Sequence, residues 1–361
     1  MNIIMISRFY HPAIGGVETQ VKEIAERLVK DNNKVTIYTF DHTIKYTADE
    51  EINGVQIKRF SCNRISYGIE IPSAEFIHAL KNSDADIIHL HSLHTLLPYY
   101  TYKAITVSGS KFVITTHYHG RGHTFIRNIL FRLYRLQLSN AIAAADKLIC
   151  VSRYESDLLL RDFSINQDRV VVIPNGINRM KISKLNGDLE KNPSKILFVG
   201  RLEKYKNVDK LVRALGFLDR HILVIVGEGP EKEKIFKLIR HLNISDRVRL
   251  VSNLSEENLT KEYQTSGIFV MPSCLEAYGI AVAEALSMGL QTIVANSSAL
   301  KEFVTDGHAY GISLPISVEK IVKAIVDVSH KPIPSKFVPY TWDMVVRELI
   351  SVYQSLARHT D

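Results

Sequence analysis

Residues 2–40 read NIIMISRFYHPAIGGVETQVKEIAERLVKDNNKVTIYTF, in which two apolar runs flank an amphipathic segment. Both runs place apolar side chains at successive positions, as strands do when helices cover the two faces of a parallel sheet. The residues between the runs that share one stripe at helical spacing are Val17, Val21, Ile24, Ala25 and Leu28. The pattern predicts a strand, a helix packed on the sheet by one face, and a second strand of the same sheet.

The same rhythm continues along the chain and restarts after a polar stretch. The runs VQIKRF, ADIIHLH, FVITTH and KLICVS precede the polar segment NRMKISKLNGDLEKNPSK, and KILFVG, ILVIVG, RVRLVS, GIFVMP and QTIVAN follow it. We therefore predict an α/β protein of two doubly wound, Rossmann-like domains, at 1–178 and 190–335, facing each other across a cleft. An amphipathic helix at 341–358 follows a Pro-rich segment and can cross back to the first domain. Ligands of such sheets bind outside the carboxyl ends of the strands.

The composition is that of a folded globular protein, with 361 residues of which 46% are hydrophobic and 23% charged. No run of 18 apolar residues occurs, and the first apolar run is too short for a secretory signal, so we expect neither a membrane span nor export. The three cysteines show no CxxC spacing, which argues against a zinc ribbon and against a disulfide framework. These features predict a cytoplasmic protein.

A glycine pair, Gly15 and Gly16, stands between the first strand and the first helix. Paired glycines let backbone N–H groups approach an anionic or sugar ligand at a helix N-terminus. The spacing is not GxGxxG and no P-loop lysine follows, so the pair predicts neither a dehydrogenase nor a P-loop NTPase. A tight turn that needs a positive φ is the alternative interpretation.

Two cations follow the first strand of the second domain. In LFVGRLEKYKN, Gly200 is followed by Arg201 and, five residues later, by Lys206. Arginine offers a planar fork of donors and lysine a mobile point charge, so together they suit a diphosphate. Solvated charges on a surface loop are an equally simple explanation of these residues. The motif therefore indicates a diphosphate site only together with the motif described next.

Two carboxylates, Glu276 and Glu284, flank Gly279 in MPSCLEAYGIAVAEALSMG. If a helix begins near residue 280, Glu276 lies in the preceding loop and Glu284 in an early turn, so both can meet one extended ligand. The free N–H groups of Gly279, Ile280 and Ala281 would then point at its phosphates. Because carboxylates accept hydrogen bonds from sugar hydroxyls, this arrangement predicts a nucleotide-sugar site.

The histidines suggest a rival function, because six of the 14 fall within 35 residues after two neighbouring strands. They are His89, His91, His94, His117, His119 and His123. Two HxH spacings at strand ends are compatible with zinc and hence with a metal-dependent hydrolase. Residues 89–123 contain no acidic ligand, which weighs against that interpretation.

In these motifs the chain resembles the retaining glycosyltransferases of family 4, which have the GT-B fold. The resemblance covers nearly the whole chain and rests on FYHPAIGGVE, ADIIHLH, TTH, ICVS, IPNGI, GRLEKYKN, VGEGP and EAYGIAVAEAL, all in family order. It implies transfer of a hexosyl group from a UDP- or GDP-sugar to a hydroxyl of a glycan or a lipid-linked acceptor. Retention of anomeric configuration and no metal cofactor are implied as well. A nucleotide-sugar epimerase of the same fold is the alternative.

The resemblance also implies roles for residues of the second domain. Glu276 would bind the donor sugar and Glu284 the nucleotide ribose. Arg201 and Lys206 would bind the diphosphate, a task that metal-dependent transferases give to a DxD motif. The one DxD match, at 84–86, leads into a strand rather than following one.

In the first domain, the resemblance places Gly16 at the junction of donor and acceptor sites and His117 near the reacting carbon of the transferred sugar. His119 competes with His117, because TTHYHG offers two candidates for one family histidine. The chain departs from the family at Ser297 and Ser298, where many members carry a Gly-Gly turn. That departure leaves the sugar contacts of this turn open.

The net charge of +7 is concentrated in residues 101–150, which hold seven Lys and Arg against one Asp. Within this block, residues 121–138 interleave basic and apolar side chains. Such a helix can rest on an anionic membrane at its inner face, or it can be a surface helix packed on the sheet. Nucleic acid is not expected as a partner, since no recognised binding fold accompanies the charge.

Overall fold

A computed structural model describes residues 1–13, 15–41, 49–66, 69–105, 109–120, 125–178, 190–328 and 337–357. The chain divides into two compact units, Met1–Gly176 with Trp342–Asp361 and Ile177–Thr341. We expected domains at 1–178 and 190–335, and the segment between those limits lies almost wholly outside the described residues.

The secondary structure alternates between strands and helices in both units. The strands are β1 Asn2–Ile6, β2 Lys34–Phe40, β3 Asp49–Ile52, β4 Val55–Phe60, β5 Cys62–Ser66, β6 Ile69–Pro72, β7 Ile87–His91, β8 Lys111–Thr115, β9 Lys147–Cys150, β10 Val170–Val172, β11 Asn192–Val199, β12 Ile222–Val226, β13 Val248–Val251, β14 Ser266–Met271, β15 Gln291–Ala295 and β16 Tyr310–Ile312. The helices are α1 Gly16–Lys30, α2 Ala74–Lys81, α3 Leu97–Ile105, α4 Phe125–Ala144, α5 Arg153–Asp162, α6 Val208–Leu215, α7 Lys232–His241, α8 Glu256–Thr265, α9 Ile280–Ser287, α10 Leu300–Thr305, α11 Val318–Val328 and α12 Trp342–Ala357.

The first unit contains an eight-stranded sheet in the order β10-β9-β8-β7-β1-β2-β4-β3. Its pairs are parallel except at the edge, where β3 runs antiparallel to β4. The edge pair is closed by Asn53 and Gly54, both with positive φ, which is the preferred chemistry of a two-residue hairpin turn. The strand order reverses between β1 and β7, and this reversal is the position where doubly wound sheets bind ligands.

The second unit contains a six-stranded sheet in the order β13-β12-β11-β14-β15-β16. All of its pairs are parallel, and in chain order the strands read 3-2-1-4-5-6, the arrangement of a Rossmann sheet. The reversal falls between β11 and β14. The loops that follow these two strands carry the predicted cations and the predicted carboxylates.

Helix α1 buries the predicted stripe and one polar residue besides. Val21, Ile24, Ala25 and Leu28 are buried, whereas Val17 at the start of the stripe is only half-buried. Gln20, which the apolar pattern does not include, is buried as well. A buried amide needs hydrogen-bond partners, so Gln20 marks a polar position within an otherwise apolar face.

The C-terminal helix α12 belongs to the first unit. Arg27 of α1 donates to Asp343 at 2.7 Å, and the Tyr353 hydroxyl lies 2.6 Å from Nδ1 of His89 in β7. Tyr353 and His89 are fully buried, so the helix packs over the sheet as well as beside α1. Among the helices of the described ranges, none combines the length and the apolar character needed to cross a bilayer.

Candidate functional site

The two loops at the strand-order reversal of the second unit are joined to each other. Lys206, in the loop after β11, places its Nζ 2.5 Å from Oε1 of Glu276, in the loop after β14. Beside this ion pair the Asn207 amide donates to the Pro272 carbonyl at 2.9 Å. Lys206 and Asn207 are buried, so both loops are held in one conformation by polar contacts that water barely reaches.

Gly200 lies directly beside the lysine. It has φ +156°, and a Cβ built there would lie 3.7 Å from Lys206 Nζ and 3.5 Å from the Phe198 ring. The neighbouring strand end is closer still, because a Cβ on Gly227 would meet the Gly200 carbonyl oxygen at 2.0 Å. The glycines of VGR and VGEGP therefore allow two strand ends to meet beside the ion pair.

Arg201 differs from Lys206 in exposure. Its side chain is 50% exposed and its Nη2 donates to Glu203 at 3.1 Å. A surface ion pair of this kind contributes little to the stability of the fold and is easily replaced by another contact. Arg201 can therefore turn toward an arriving anion, whereas Lys206 is already fixed in place by Glu276.

The helix that follows Glu276 begins where the sequence predicts, at Ile280. Gly279 precedes it with φ +106°, and a Cβ there would lie 2.8 Å from a methyl of Leu300. The first intrahelical donor is Val282, whose N–H bonds to the Gly279 carbonyl, so the amides of Ile280 and Ala281 fall in the first turn, before intrahelical acceptors are available. Amides in that position are suited to a phosphate.

Glu284 lies one turn into α9 and is oriented by a buried tyrosine. The Tyr263 hydroxyl donates to Glu284 Oε2 at 2.8 Å. Burial and the neighbouring Glu284 charge raise the pKa of Tyr263 well above its ordinary value, so the hydroxyl keeps its proton. Sequence reasoning missed this residue, because a single tyrosine in α8 carries no local signal of its partner.

The departure at Ser297 and Ser298 forms part of the same loop cluster. Ser298 accepts a hydrogen bond from the Glu276 N–H at 3.0 Å, and Ser297 donates to the Cys274 carbonyl at 3.3 Å. Ser298 has φ +50°, the left-handed conformation that glycine adopts without strain. Ser298 thus keeps a glycine-like backbone, and the two serines add two side-chain contacts to the Glu276 loop.

In the first unit, His117 follows β8 and is buried with a left-handed φ of +46°. Its Nε2 lies 2.8 Å from Gln20 Oε1, and the Gln20 amide donates to Asn175 Oδ1 at 2.6 Å. Burial lowers the pKa of His117 to about 4, so the ring is neutral at pH 7. Because Gln20 Oε1 can only accept, Nε2 carries the proton and Nδ1 is left as the acceptor.

Glu155, which sequence reasoning missed, binds the chain on both sides of His117. Its Oε1 accepts from the Thr116 hydroxyl at 2.5 Å and from the Tyr118 N–H, and its Oε2 accepts from the Val151 N–H at 2.6 Å. The spacing Ser152-x-x-Glu155 is a capping-box signal and predicts the start of α5. It gives no indication that the carboxylate points at another loop.

The glycine pair before α1 does not form the tight turn that is the alternative interpretation of its sequence. Gly15 has φ −175°, which any residue adopts, so the positive-φ interpretation is wrong. A Cβ on Gly15 would instead meet the Glu18 carboxylate at 2.2 Å. Around Gly16, no heavy atom of the described residues lies within 4 Å of such a Cβ, which leaves room for a ligand at the first turn of α1.

His89, His94 and His119 are hydrogen-bonded or packed together, and His123 lies outside the described residues. His89 is hydrogen-bonded to Tyr353 and Thr115, and its pKa is lowered to about 3 by burial and by His117. His94 and His119 stack with ring centroids 3.6 Å apart. Within the described ranges, no group of three or more His, Cys, Asp or Glu side chains could hold a metal ion. The hydrolase interpretation therefore gains no support from the cluster.

The chance DxD match has a structural role. Asp84 and Asp86 hydrogen-bond Asn2 at the start of β1, with Asp86 accepting from the Asn2 N–H at 2.7 Å. They lie at the amino ends of β1 and β7, opposite the carboxyl ends where ligands of such sheets bind.

The predicted membrane segment falls mostly outside the described part of the chain, which omits residues 121–124 and the side chains of 125–133 and 136. The described part of α4 packs within the first unit. Tyr134 donates to the Thr95 carbonyl at 2.7 Å, Arg135 to the Asp162 carbonyl at 2.5 Å, and Leu138 is buried.

Two family models match the chain in succession. The model of Glycosyltransferase Family 4 matches residues 14–180, and that of Glycosyl transferases group 1 matches residues 182–339. A GDP-mannose:cellobiosyl-diphosphopolyprenol alpha-mannosyltransferase of Xanthomonas oryzae pv. oryzae is 26% identical over 90% of this chain and 85% of its own.

Solved structures share the architecture. Sucrose-phosphate synthase from Thermosynechococcus elongatus superposes with a TM-score of 0.80 at 19% identity, over 99% of both chains. HepE of Anabaena, solved in complex with UDP and glucose, gives 0.74 at 15% identity, over 98% of this chain and 99% of its own. At such identities the likeness concerns the fold.

Proposed function

Because the chain belongs to the glycosyltransferases of GT-B family 4 type, we propose that it transfers a hexosyl group from a nucleoside diphosphate sugar to an acceptor hydroxyl with retention. The observation that carries the proposal is the Lys206–Glu276 pair beside the N-terminus of α9. It offers a cation and free amides for phosphates together with a carboxylate for sugar hydroxyls. The relatives matched are transferases, so the epimerase alternative is not favoured.

In the proposed reaction, the bond from the anomeric carbon to the diphosphate oxygen breaks and the acceptor oxygen bonds to that carbon. The products are the glycoside, the nucleoside diphosphate and the proton of the acceptor hydroxyl. Lys206, Arg201 and the amides of residues 280 and 281 stabilise the charge that develops on the departing diphosphate. No metal is required for this task.

Other residues orient the ligands in this proposal. Glu276 accepts hydrogen bonds from donor-sugar hydroxyls, and Glu284, oriented by Tyr263, accepts from the ribose. His117 presents Nδ1 to the transferred sugar, since Nε2 is bonded to Gln20. Gly16 leaves room for a ligand at the first turn of α1.

For the acceptor we propose a glycan or a lipid-linked hydroxyl. The support is the Xanthomonas relative, whose name specifies a diphosphopolyprenol carrier. A cytoplasmic protein resting on the inner membrane face through residues 121–138 is the corresponding location. Sedimentation with anionic and with neutral vesicles tests it. Binding to anionic vesicles alone would support the membrane position, and no binding to either would remove it.

The donor is tested by thermal melting with UDP-glucose, UDP-N-acetylglucosamine and GDP-mannose. A donor at 100 times its Kd stabilises the folded state by about 2.7 kcal/mol, which is several degrees in Tm. Glu276→Gln keeps an acceptor for Lys206 but weakens the sugar contact, so it should lose most of that shift. Glu257→Gln changes an exposed carboxylate paired with Lys261 and serves as the matched control.

The reaction is then tested with the donor that raises Tm and a lipid extract as acceptor source. We expect nucleoside diphosphate release in step with glycosylated product, and retention is read from the anomeric coupling constant of that product. The proposal fails if no nucleotide sugar shifts Tm, or if donor is consumed without any acceptor.

A further inference from the structure

The turn at His117 holds a conformation that its own sequence does not favour. A histidine with φ +46° costs of the order of 1 kcal/mol relative to a right-handed or extended backbone. Such a residue persists only where its surroundings fix it. The surroundings here include main-chain bonds of Thr116 to Ile149 and Leu93. Two side chains add contacts, one to the His117 ring and one to the residues on either side of it.

The contact to the backbone is made by Glu155. A single carboxylate oxygen accepts from the residue before His117, through the Thr116 hydroxyl, and from the residue after it, through the Tyr118 N–H. The other oxygen accepts from Val151, at the end of β9. One side chain therefore joins both flanks of the turn to a strand of the central sheet.

Burying a carboxylate is energetically unfavourable, and helix α5 does not need the Glu155 carboxylate in order to form. Glu155 is fully buried, which raises its pKa to about 7, while its hydrogen bonds act in the opposite direction. The cap of α5 is already made by the Ser152 hydroxyl, which accepts from the Glu155 N–H at 3.1 Å. An apolar side chain would serve the helix, but the turn would lose the one side chain that binds both of its flanks and would keep only the main-chain bonds of Thr116 on one side.

The second contact fixes the ring of His117. Gln20 of α1 accepts from Nε2 and is held in turn by Asn175. The ring is therefore oriented correctly only if the backbone of residues 116–118 stays where Glu155 holds it. The Gln20 contact and the Glu155 contact act on different parts of the same residue.

We propose that Glu155 is a positioning residue of the transfer reaction, which anchors the left-handed turn at 116–118 and so sets the direction of the His117 ring. The reaction part rests on the proposed function, in which His117 meets the transferred sugar. The anchoring part concerns this unit alone and has its own readout.

The anchoring is tested by NMR of protein labelled with ¹⁵N-histidine. In the wild type, the His117 ring should show the Nε2–H tautomer at pH 7, with the signal assigned by its loss in His117→Asn. Glu155→Leu removes the acceptor and should shift this signal toward mixed tautomers. Glu155→Gln retains one acceptor oxygen for Thr116 and Tyr118 and should restore most of the wild-type signal.

Matched variants separate positioning from lost stability. Leu159→Ala empties a fully buried site on the same helix and should lower Tm without moving the His117 signal. Thr116→Val removes one donor to Glu155 at nearly constant volume, so it should move the signal in the same direction as Glu155→Leu but less. If Glu155→Leu does not fold, Thr116→Val decides the matter, and an unmoved His117 signal in that variant overturns the anchoring.

The reaction part is tested with the nucleotide sugar that raises Tm. Glu155→Leu should lower kcat by about 10- to 100-fold through misplacement of His117, with donor KM changed less than about threefold. Leu159→Ala should retain kcat. A His117 signal that stays unchanged in folded Glu155→Leu and Thr116→Val would overturn the proposal. If the His117 signal moves as expected in the variants but the wild-type protein shows no transfer activity, the proposed function is overturned and the anchoring by Glu155 stands.

Discussion

Arg201 is the site residue whose removal should lower catalysis strongly and leave stability almost unchanged. Its side chain is half-exposed, and its ion pair with Glu203 lies within its own loop. Each charge-assisted contact to a diphosphate is worth about 1.5–3 kcal/mol. Arg201→Ala should therefore lower kcat by about 10- to 150-fold with Tm unchanged within about 1 °C. Lys204→Ala, an exposed cation of the same loop, should retain both.

If folded Arg201→Ala turns over at the wild-type rate, Arg201 does not bind the diphosphate. A Tm loss as large as that of a core variant would instead mean that its contacts are structural.

Ser298 has a strained backbone and a hydroxyl that accepts from the Glu276 N–H, and two substitutions separate these properties. Ser298→Ala keeps the strain of φ +50° and loses the bond to the Glu276 N–H, so it should lower stability by about 1 kcal/mol. Ser298→Gly also loses the bond but relieves the strain, so its stability should stay near that of the wild type.

Both Ser298 variants should raise the donor KM, since each frees the Glu276 loop. Measured Tm and KM values check this expectation. If Ser298→Gly leaves KM unchanged, the hydroxyl has no part in holding the loop for the donor.

At the scale of elements, the two glycines that open helices α1 and α9 should respond differently to alanine. Gly279→Ala forces a Cβ into φ +106° and against Leu300, so it should destabilise the second unit by about 1–3 kcal/mol and weaken donor binding. In the part of the chain that the structure describes, the Cβ of Gly16→Ala meets no atom within 4 Å, so this variant should leave Tm unchanged or slightly raised.

The activity of Gly16→Ala then reports on the ligand rather than on the fold. A methyl group at the first turn of α1 should lower kcat/KM at least tenfold if a ligand approaches the backbone there. Wild-type kcat/KM would place the ligand elsewhere.

The alternation of elements could be predicted from the sequence because buried parallel strands and amphipathic helices leave strong periodic patterns. All apolar runs singled out in the first unit became strands of one sheet, and the start of α9 at Ile280 followed from Gly279. The edge strand β3 was missed although Asn53-Gly54 is a strong hairpin signal, because the strand itself, DEEI, is acidic rather than apolar. The short strands β5, β6, β10 and β16 were missed as well.

The candidate site was predictable only where its residues stand in recognisable motifs. Lys206 and Glu276 stand in separate motifs, and the structure joins them by an ion pair. Gln20, Glu155 and Tyr263 bind site residues through contacts that span 21 to 97 positions of the sequence. Propensity and periodicity describe neighbours along the chain, so such partners become visible only when the strands are paired.

At the scale of the whole molecule, buried histidines make stability depend on pH. Burial lowers the pKa of His89 to about 3 and that of His117 to about 4, and it lowers the pKa of His91 strongly. Unfolded histidine titrates near pH 6.5, so the unfolded chain takes up these protons first as the pH falls. Each histidine contributes stability that is present above about pH 6.5 and is lost below it.

Glu155 acts in the opposite direction, because its raised pKa makes the folded state hold a proton between about pH 4.5 and 7. Three histidines against one carboxyl leave a net difference of about two protons between pH 5 and 6. The contribution of these groups to the free energy of unfolding should therefore fall by about 2.7 kcal/mol for each unit by which the pH is lowered over that interval. Urea unfolding of the wild type at pH 5 to 8 measures this slope.

His91→Leu isolates one of these contributions, since neither ring nitrogen of His91 has a hydrogen-bond partner among the described residues. The variant should fold and should lower the slope by about 1.4 kcal/mol per unit of pH. An unchanged slope would mean that His91 is not the buried neutral ring that its surroundings require.

The central claim is that two loops and one helix end of the second unit bind an activated sugar. The most direct measurement is a crystal structure of the protein with UDP or GDP, whichever raises Tm. The diphosphate should lie within hydrogen-bond distance of Lys206, Arg201 and the amides of residues 280 and 281, with the ribose on Glu284. A nucleotide bound elsewhere, with Lys206 and Glu276 still paired and remote from it, would contradict the account.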